Sequence, residues 1–150
     1  MTEQKFNEII DFAVEREREA VSFYHDLQKI AKFSAQVEML KEFEDMERGH
    51  IKILENMRKK GFENIGEKQV PDLKISDYIV EVAPSANMDY QDILIVAMKK
   101  EESANKLYRN MASKFQGTDL ETLFNRLAAE EAQHKNQFER LYDEEVLKDN

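Results

Sequence analysis

The sequence predicts an all-α protein, a four-helix bundle made of two repeated helical hairpins joined by a long crossover. Three observations carry this expectation. Apolar residues recur at helical spacing through four long segments. The 150 residues are 41% hydrophobic and 35% charged, with four glycines and two prolines, a mixture that suits long solvent-bathed helices better than a sheet. The second half of the chain also repeats the first at an offset of 84 residues.

The first helix is expected over about 3–33, with Phe6, Ile9, Ile10, Ala13, Ala20, Leu27 and Ala31 on one stripe. The second, about 35–60, uses Val37, Leu40, Phe43, Leu54 and Met57. Ser34 is its expected N-cap and Gly61 its expected stop. The third, about 90–115, is carried by Tyr90, Leu94, Ala97, Ala104, Met111 and Phe115. The fourth, about 119–147, is carried by Leu120, Leu123, Phe124, Leu127, Phe138 and Leu141. It follows the helix-breaking Gly117 and opens on Thr118-x-x-Glu121, the pattern of a capping box.

The offset pairs Phe6 with Tyr90, Ala13 with Ala97, Tyr24 with Tyr108, Ser34 with Thr118 and Phe43 with Leu127. Two copies of one helical hairpin explain this economically. The chain is therefore expected to be one domain over 1–150, with one hairpin at 3–60, a crossover at 61–88 and a second hairpin at 89–148. The crossover holds both prolines, and Ile75, Tyr78, Ile79 and Val82 suggest a short helix within it, ended at Ala83-Pro84. A helix of ~24 residues is ~36 Å long. A connection of this length can run the length of the bundle and leave the second and third helices parallel.

Six ionisable residues interrupt the apolar stripes. Glu17 falls among Ala13, Ala20 and Tyr24, and Glu101 takes the same place among Ala97, Ala104 and Tyr108. Glu47 and His50 interrupt Phe43 and Leu54, and Glu131 and His134 interrupt Leu127 and Phe138. Residues three apart share a helix face, so each Glu-x-x-His can address one ion. Burying four carboxylates uncompensated would cost several kcal/mol each. Two divalent cations would neutralise them, and two imidazoles would complete the coordination. The alternative is pairing with lysine or arginine, but no stripe contains a matching set of cations. Glu15 and Glu19 turn ~200° from Glu17 and are expected in solvent. Glu102 and Glu130 lie only ~100° from the stripe and are the closest competitors. His25, beside Asp26, is expected at the surface.

Composition narrows the remaining classes. A net charge of −9 with no basic patch argues against nucleic acid as a partner. Without cysteine there are no disulfides, thiolate nucleophiles or iron–sulfur clusters in these residues. No apolar run approaches the ~20 residues that span a bilayer, and Met1–Phe6 lacks the pattern of a signal peptide. A soluble cytoplasmic protein, without membrane partners, is the expectation.

On Glu17-x-x-Ala20-x-x-x-Tyr24, Glu47-x-x-His50, Glu101-x-x-Ala104-x-x-x-Tyr108 and Glu131-x-x-His134, the sequence resembles the rubrerythrin branch of the ferritin-like superfamily. The resemblance implies a ferritin-like bundle holding two iron ions, though manganese or zinc would accept the same donors. It implies that Glu47 and Glu131 bridge the metals, that Glu17 and Glu101 are terminal, and that His50 and His134 each cap one ion. Tyr24 and Tyr108 would hydrogen-bond the carboxylates of the opposite repeat, the alternative being simple core packing.

The implied function is an oxidoreductase reducing hydrogen peroxide or dioxygen with an external electron-donor protein. The alternatives are a ferroxidase-type protein that binds and handles iron, and a helical module with a structural metal site. Two departures from the family pattern bear on this. Ala104 stands where rubrerythrins carry an extra carboxylate, and the cysteine-rich electron-delivering domain that commonly accompanies them is absent from this sequence. The six-ligand set is shared with bacterioferritins, whose extra C-terminal helix is not expected after a fourth helix that runs almost to Asn150. A homodimer is a further expectation of the resemblance, with no seam assigned.

Overall fold

The computed structural model describes residues 2–65 and 89–148. It contains four helices, α1 (Glu3–Gln28), α2 (Ser34–Ile65), α3 (Tyr90–Lys114) and α4 (Asp119–Lys148). There is no strand among the described residues. The protein is thus all-α with the helix complement of a four-helix bundle. The chain divides into two compact units, Met1–Ile75 and Ser76–Asn150. α1 packs on α2 in the first and α3 on α4 in the second. The expected crossover beyond Ile65, with its short helix around Ile75–Val82, lies outside the described residues.

In the first unit Phe6, Ile9, Ile10, Ala13, Leu27, Leu40, Phe43, Leu54 and Met57 are buried. In the second the same is true of Leu94, Ala97, Met111, Phe115, Leu120, Phe124, Leu127 and Phe138. Ala20, Ala31, Val37, Tyr90, Ala104, Leu123 and Leu141 of the expected stripes are only half-buried. Val14, Val21, Phe23, Ile93, Val96, Leu107, Ala112 and Ala128 are buried as well. A core-facing helix buries an arc of 100° or more, wider than a single line of steps of three and four, so flanking residues are drawn in.

The helix ends depart from expectation, and each departure has a backbone cause. α1 stops at Gln28 rather than 33, because Lys29 N–H turns back to Asp26 O and Ile30 N–H to Leu27 O, both at 3.1 Å. Such i→i−3 bonds tighten and end the last turn. The carbonyl of Phe33 accepts the first bonds of α2, from Gln36 and Val37 at 3.0 and 3.1 Å. Ser34 is consequently the first helical residue and not the cap. Gly61 does not stop α2, which continues to Ile65. An interior glycine costs only about 1 kcal/mol, which neighbouring helix formers can carry.

The box expected before α4 does not form, and other bonds take its place. The Glu121 carboxylate accepts from Gly117 N–H at 3.1 Å, one residue earlier than the pattern implies. The Thr118 hydroxyl donates backward to Phe115 O at 2.6 Å. Gly117 adopts φ 81°, a left-handed conformation open to glycine at little cost, and sets this tight turn. A full capping box occurs instead at α3, where Asp89 Oδ1 receives Asp92 N–H at 2.8 Å and Asp92 Oδ2 receives Asp89 N–H at 3.4 Å. α4 stays helical through Glu144–Leu147 to Lys148. No described helix is long and apolar enough to cross a membrane.

Gly49 sits inside α2 with nothing within 4 Å of where a Cβ would lie. Gly49→Ala should therefore stabilise the fold, by up to about 1 kcal/mol. A rise in the urea midpoint at unchanged slope is the expected result, and a fall would mean that the added methyl meets something.

Candidate metal centre

Each hairpin gathers two carboxylates and one imidazole in its interior. In the first, Glu17 comes from α1 and Glu47 and His50 from α2, with exposures of 2%, 0% and 2%. The His50 Nδ1 atom lies 3.5 Å from Glu17 Oε1 and 3.4 Å from Glu47 Oε2. In the second, Glu101 comes from α3 and Glu131 and His134 from α4, at 2%, 1% and 1%. His134 Nδ1 lies 3.6 Å from Glu101 Oε1 and 3.9 Å from Glu131 Oε2. Within each trio every residue offers a ligand atom within 4.8 Å of the other two.

The geometry follows from local sequence. One helical turn separates Glu47 from His50 and Glu131 from His134, so each pair projects from one face. The short turns after α1 and α3 make each hairpin antiparallel and bring the single upstream glutamate to that face. All four separations exceed the 2.7–3.2 Å of a good N–H···O bond. They lie at and somewhat beyond the roughly 3.0–3.4 Å that separates ligands held about 2.1 Å from one metal at right-angled to tetrahedral bond angles. Carboxylate oxygens with imidazole nitrogen form a donor set for iron, manganese or zinc. The residues present have the chemistry to hold a divalent cation in each hairpin, with ligand atoms within 4.8 Å of one another.

The structure thus brings together, three and three, the six residues singled out by sequence. The competing carboxylates lie elsewhere. Glu102 is exposed and 3.9 Å from Lys135, and Glu130 is 3.4 Å from Arg126. Glu15 is exposed, as is Glu19, which pairs with Arg16 at 2.9 Å. Tyr24 and Tyr108 are each 1% exposed. Tyr24 meets Phe43 edge-on at 5.8 Å, while Tyr108 stacks on Phe124 at 6.3 Å.

Sequence reasoning missed Glu44, which is 8% exposed and one turn before Glu47. Arg48 donates to its Oε2 from Nε at 3.2 Å and from Nη2 at 3.0 Å. Gln28 Nε2 and His25 Nδ1 reach its Oε1 from α1, at 3.0 and 3.1 Å. His25 is at the surface as expected, but its partner is Glu44 rather than the adjacent Asp26, which pairs with Lys29 at 3.8 Å. The sequence signals were Glu44-x-x-x-Arg48 on one helix and the one-turn spacing of His25 and Gln28 on the other.

Burial alone would raise the Glu44 carboxyl, but hydrogen bonds from Arg48, His25 and Gln28 outweigh it and hold the group below its ordinary 4.5. The folded state therefore takes up this proton less readily than the unfolded chain, so the stabilisation is complete above pH 4.5 and lost as pH falls through the lower folded value. The melting temperature of the wild-type chain should drop more steeply below pH 4.5 than that of Glu44→Gln. Parallel pH profiles would remove Glu44 from acid stability. At the far end of the second hairpin, burial and then the nearby Glu145 and Glu144 raise the Tyr90 phenol above 10.0.

Residues 92–150 match the family model for Rubrerythrin. The match covers α3 from Asp92 onward and all of α4, and with them Glu101, Glu131 and His134. It is consistent with a rubrerythrin-like, ferritin-like di-iron protein. No curated protein and no solved structure matches the chain.

Proposed function

We propose that the two donor sets hold a pair of iron ions, and that the protein is an oxidoreductase reducing hydrogen peroxide or dioxygen with electrons from a separate donor protein. The observation that carries this reading is the burial in each hairpin of two carboxylates and one imidazole with ligand atoms inside 4.8 Å of each other. Four carboxylates and two divalent cations cancel in formal charge, which removes the cost of burying the acids alone. The rubrerythrin match over the second hairpin supports iron as the metal.

When bound, the iron pair supplies the two-electron reduction of the O–O bond. The rest of the chemistry belongs to the chain. Glu17, Glu47 and His50 of the first hairpin and Glu101, Glu131 and His134 of the second would hold the ions, Glu47 and Glu131 as shared carboxylates, Glu17 and Glu101 as terminal ones, and His50 and His134 as one imidazole for each ion. Their near-complete burial keeps bulk water from competing for the coordination positions. Tyr24 and Tyr108, two turns after Glu17 and Glu101, would donate hydrogen bonds to ligand carboxylates and orient them. With no cysteine in the sequence, the reductant must come from outside these residues.

Anaerobic ferrous loading, followed by peroxide or dioxygen with and without a chemical reductant, tests the reading through absorbance and turnover. Oxidation with repeated turnover is expected. No oxidation rejects the enzyme reading. A single oxidation followed by iron uptake beyond two ions per chain would identify an iron-handling protein.

A further inference from the structure

Each hairpin carries a directional polar tie between its helices, one turn ahead of the glutamate that opens its Glu-x-x-His. In the first, buried Glu44 of α2 is gripped from α1 by Gln28 Nε2 at 3.0 Å and His25 Nδ1 at 3.1 Å. In the second, Asn105 of α3 donates from Nδ2 to the carbonyl of Ala128 on α4, at 2.6 Å. Asn105 is one turn after Glu101, and Ala128 is one turn before Glu131. The ties are chemically unrelated. At the 84-residue offset Glu44 corresponds to Ala128, Gln28 to Ala112, and Asn105 to Val21. Different residues nonetheless anchor the same turn of α2 and of α4.

That turn governs how the metal-binding face points. A ligand atom sits about 6 Å from its helix axis, so a 15° rotation of the helix moves it about 1.5 Å. Metal sites tolerate only about 0.2 Å in ligand distance. The apolar contacts of Leu40, Phe43 and Leu127 are non-directional and accommodate small rotations. A hydrogen bond does not, because it weakens steeply as its angle closes.

We propose that Glu44, held by His25 and Gln28, and Asn105, acting through the Ala128 carbonyl, are positioning residues that fix the rotation of α2 and α4. They thereby aim Glu47 with His50, and Glu131 with His134, at the ions. The inference rests on the dimetal reading above.

Cobalt(II), titrated anaerobically into the metal-free protein and read by its visible d–d absorption, is the probe. Melting of the metal-free protein is recorded alongside. Glu44→Ala and Asn105→Ala should each weaken cobalt binding about tenfold or more and shift the bands. Glu44→Gln, which keeps an acceptor oxygen for Gln28, should stay close to wild type. If Glu44→Ala does not fold, Gln28→Ala replaces it, since it removes a donor from α1 and leaves the Arg48 pair intact. Wild-type affinity and bands in the alanine variants, with lowered melting temperatures, would make the ties merely structural. That outcome overturns the proposal and leaves the dimetal reading standing. A wild-type protein that binds no cobalt overturns both.

Discussion

Glu47→Gln and Glu131→Gln should each make the metal-free protein more stable and abolish most of the stabilisation that metal provides. Both side chains are essentially inaccessible to solvent, and each lies beside another buried carboxylate and one imidazole. Without a cation, these acids must either stay ionised at low dielectric or take up protons, and both cost folding energy. The neutral, isosteric amide removes much of that desolvation cost, which is several kcal/mol for a buried ion. The same change removes an anionic ligand. Wild-type protein with metal at a hundredfold over its Kd should gain about 2.7 kcal/mol, and the variants only a small part of it. The crossed pattern is diagnostic, because an acid kept for ordinary packing would show neither effect. Thermal melts with and without metal give the result. A metal-free protein weakened by Glu47→Gln, with its metal shift intact, would sink the ligand role of that residue.

Phe124→Ala should be the most damaging single change to the fold. The ring is completely buried, stacked on Tyr108 at 6.3 Å and on Phe115 at 5.9 Å. Its removal forfeits the transfer energy of the ring and leaves a cavity that long, paired helices cannot collapse, a loss of about 3–5 kcal/mol. Against a total of roughly 5–15 kcal/mol, that leaves the protein near its folding threshold. Phe33→Ala, at a position 57% exposed on the turn between α1 and α2, is the control and should cost well under 1 kcal/mol. Circular dichroism melts should separate the two by roughly 6–20 °C. Equal shifts would mean that the second hairpin is packed otherwise.

The helices and the polar residues of the candidate site were legible in the sequence because both are written in period. Steps of three and four placed Glu17, Glu47 and His50, and equally Glu101, Glu131 and His134, on faces otherwise apolar. An ionisable residue inside such a face is informative because burial makes it costly. Helix ends were less legible because short-range backbone bonds decide them. Phe33 rather than Ser34 supplies the first acceptor of α2, and Gly117 rather than Thr118 presents its N–H to Glu121. Glu44 escaped notice for a further reason. It lies at the flank of the stripe, and its α1 partners are sixteen and nineteen residues away, a distance that no local pattern encodes. The closest competitors, Glu102 and Glu130, were separated from the ligand set only by the phase of their helices, which places them beside Lys135 and Arg126.

The pH response of Glu44 and the metal response of Glu47 draw on opposite electrostatic situations. Glu44 is buried with its donors supplied by the chain, so its charge is stabilised in the folded protein. The Glu17, Glu47 and His50 trio supplies acceptors and an imidazole, which a divalent cation would complete. Two carboxylates on adjacent turns of α2 are thus assigned different tasks by their neighbours.

The most direct test of the dimetal reading is the number of ions bound. Untagged protein, stripped of metal, loaded anaerobically with ferrous iron and freed of excess by gel filtration, should carry two ions per chain by elemental analysis. Glu47→Ala and His134→Ala should each fall well short of that while remaining helical. One ion or none in the wild-type protein, or two ions undiminished in both variants, would contradict it.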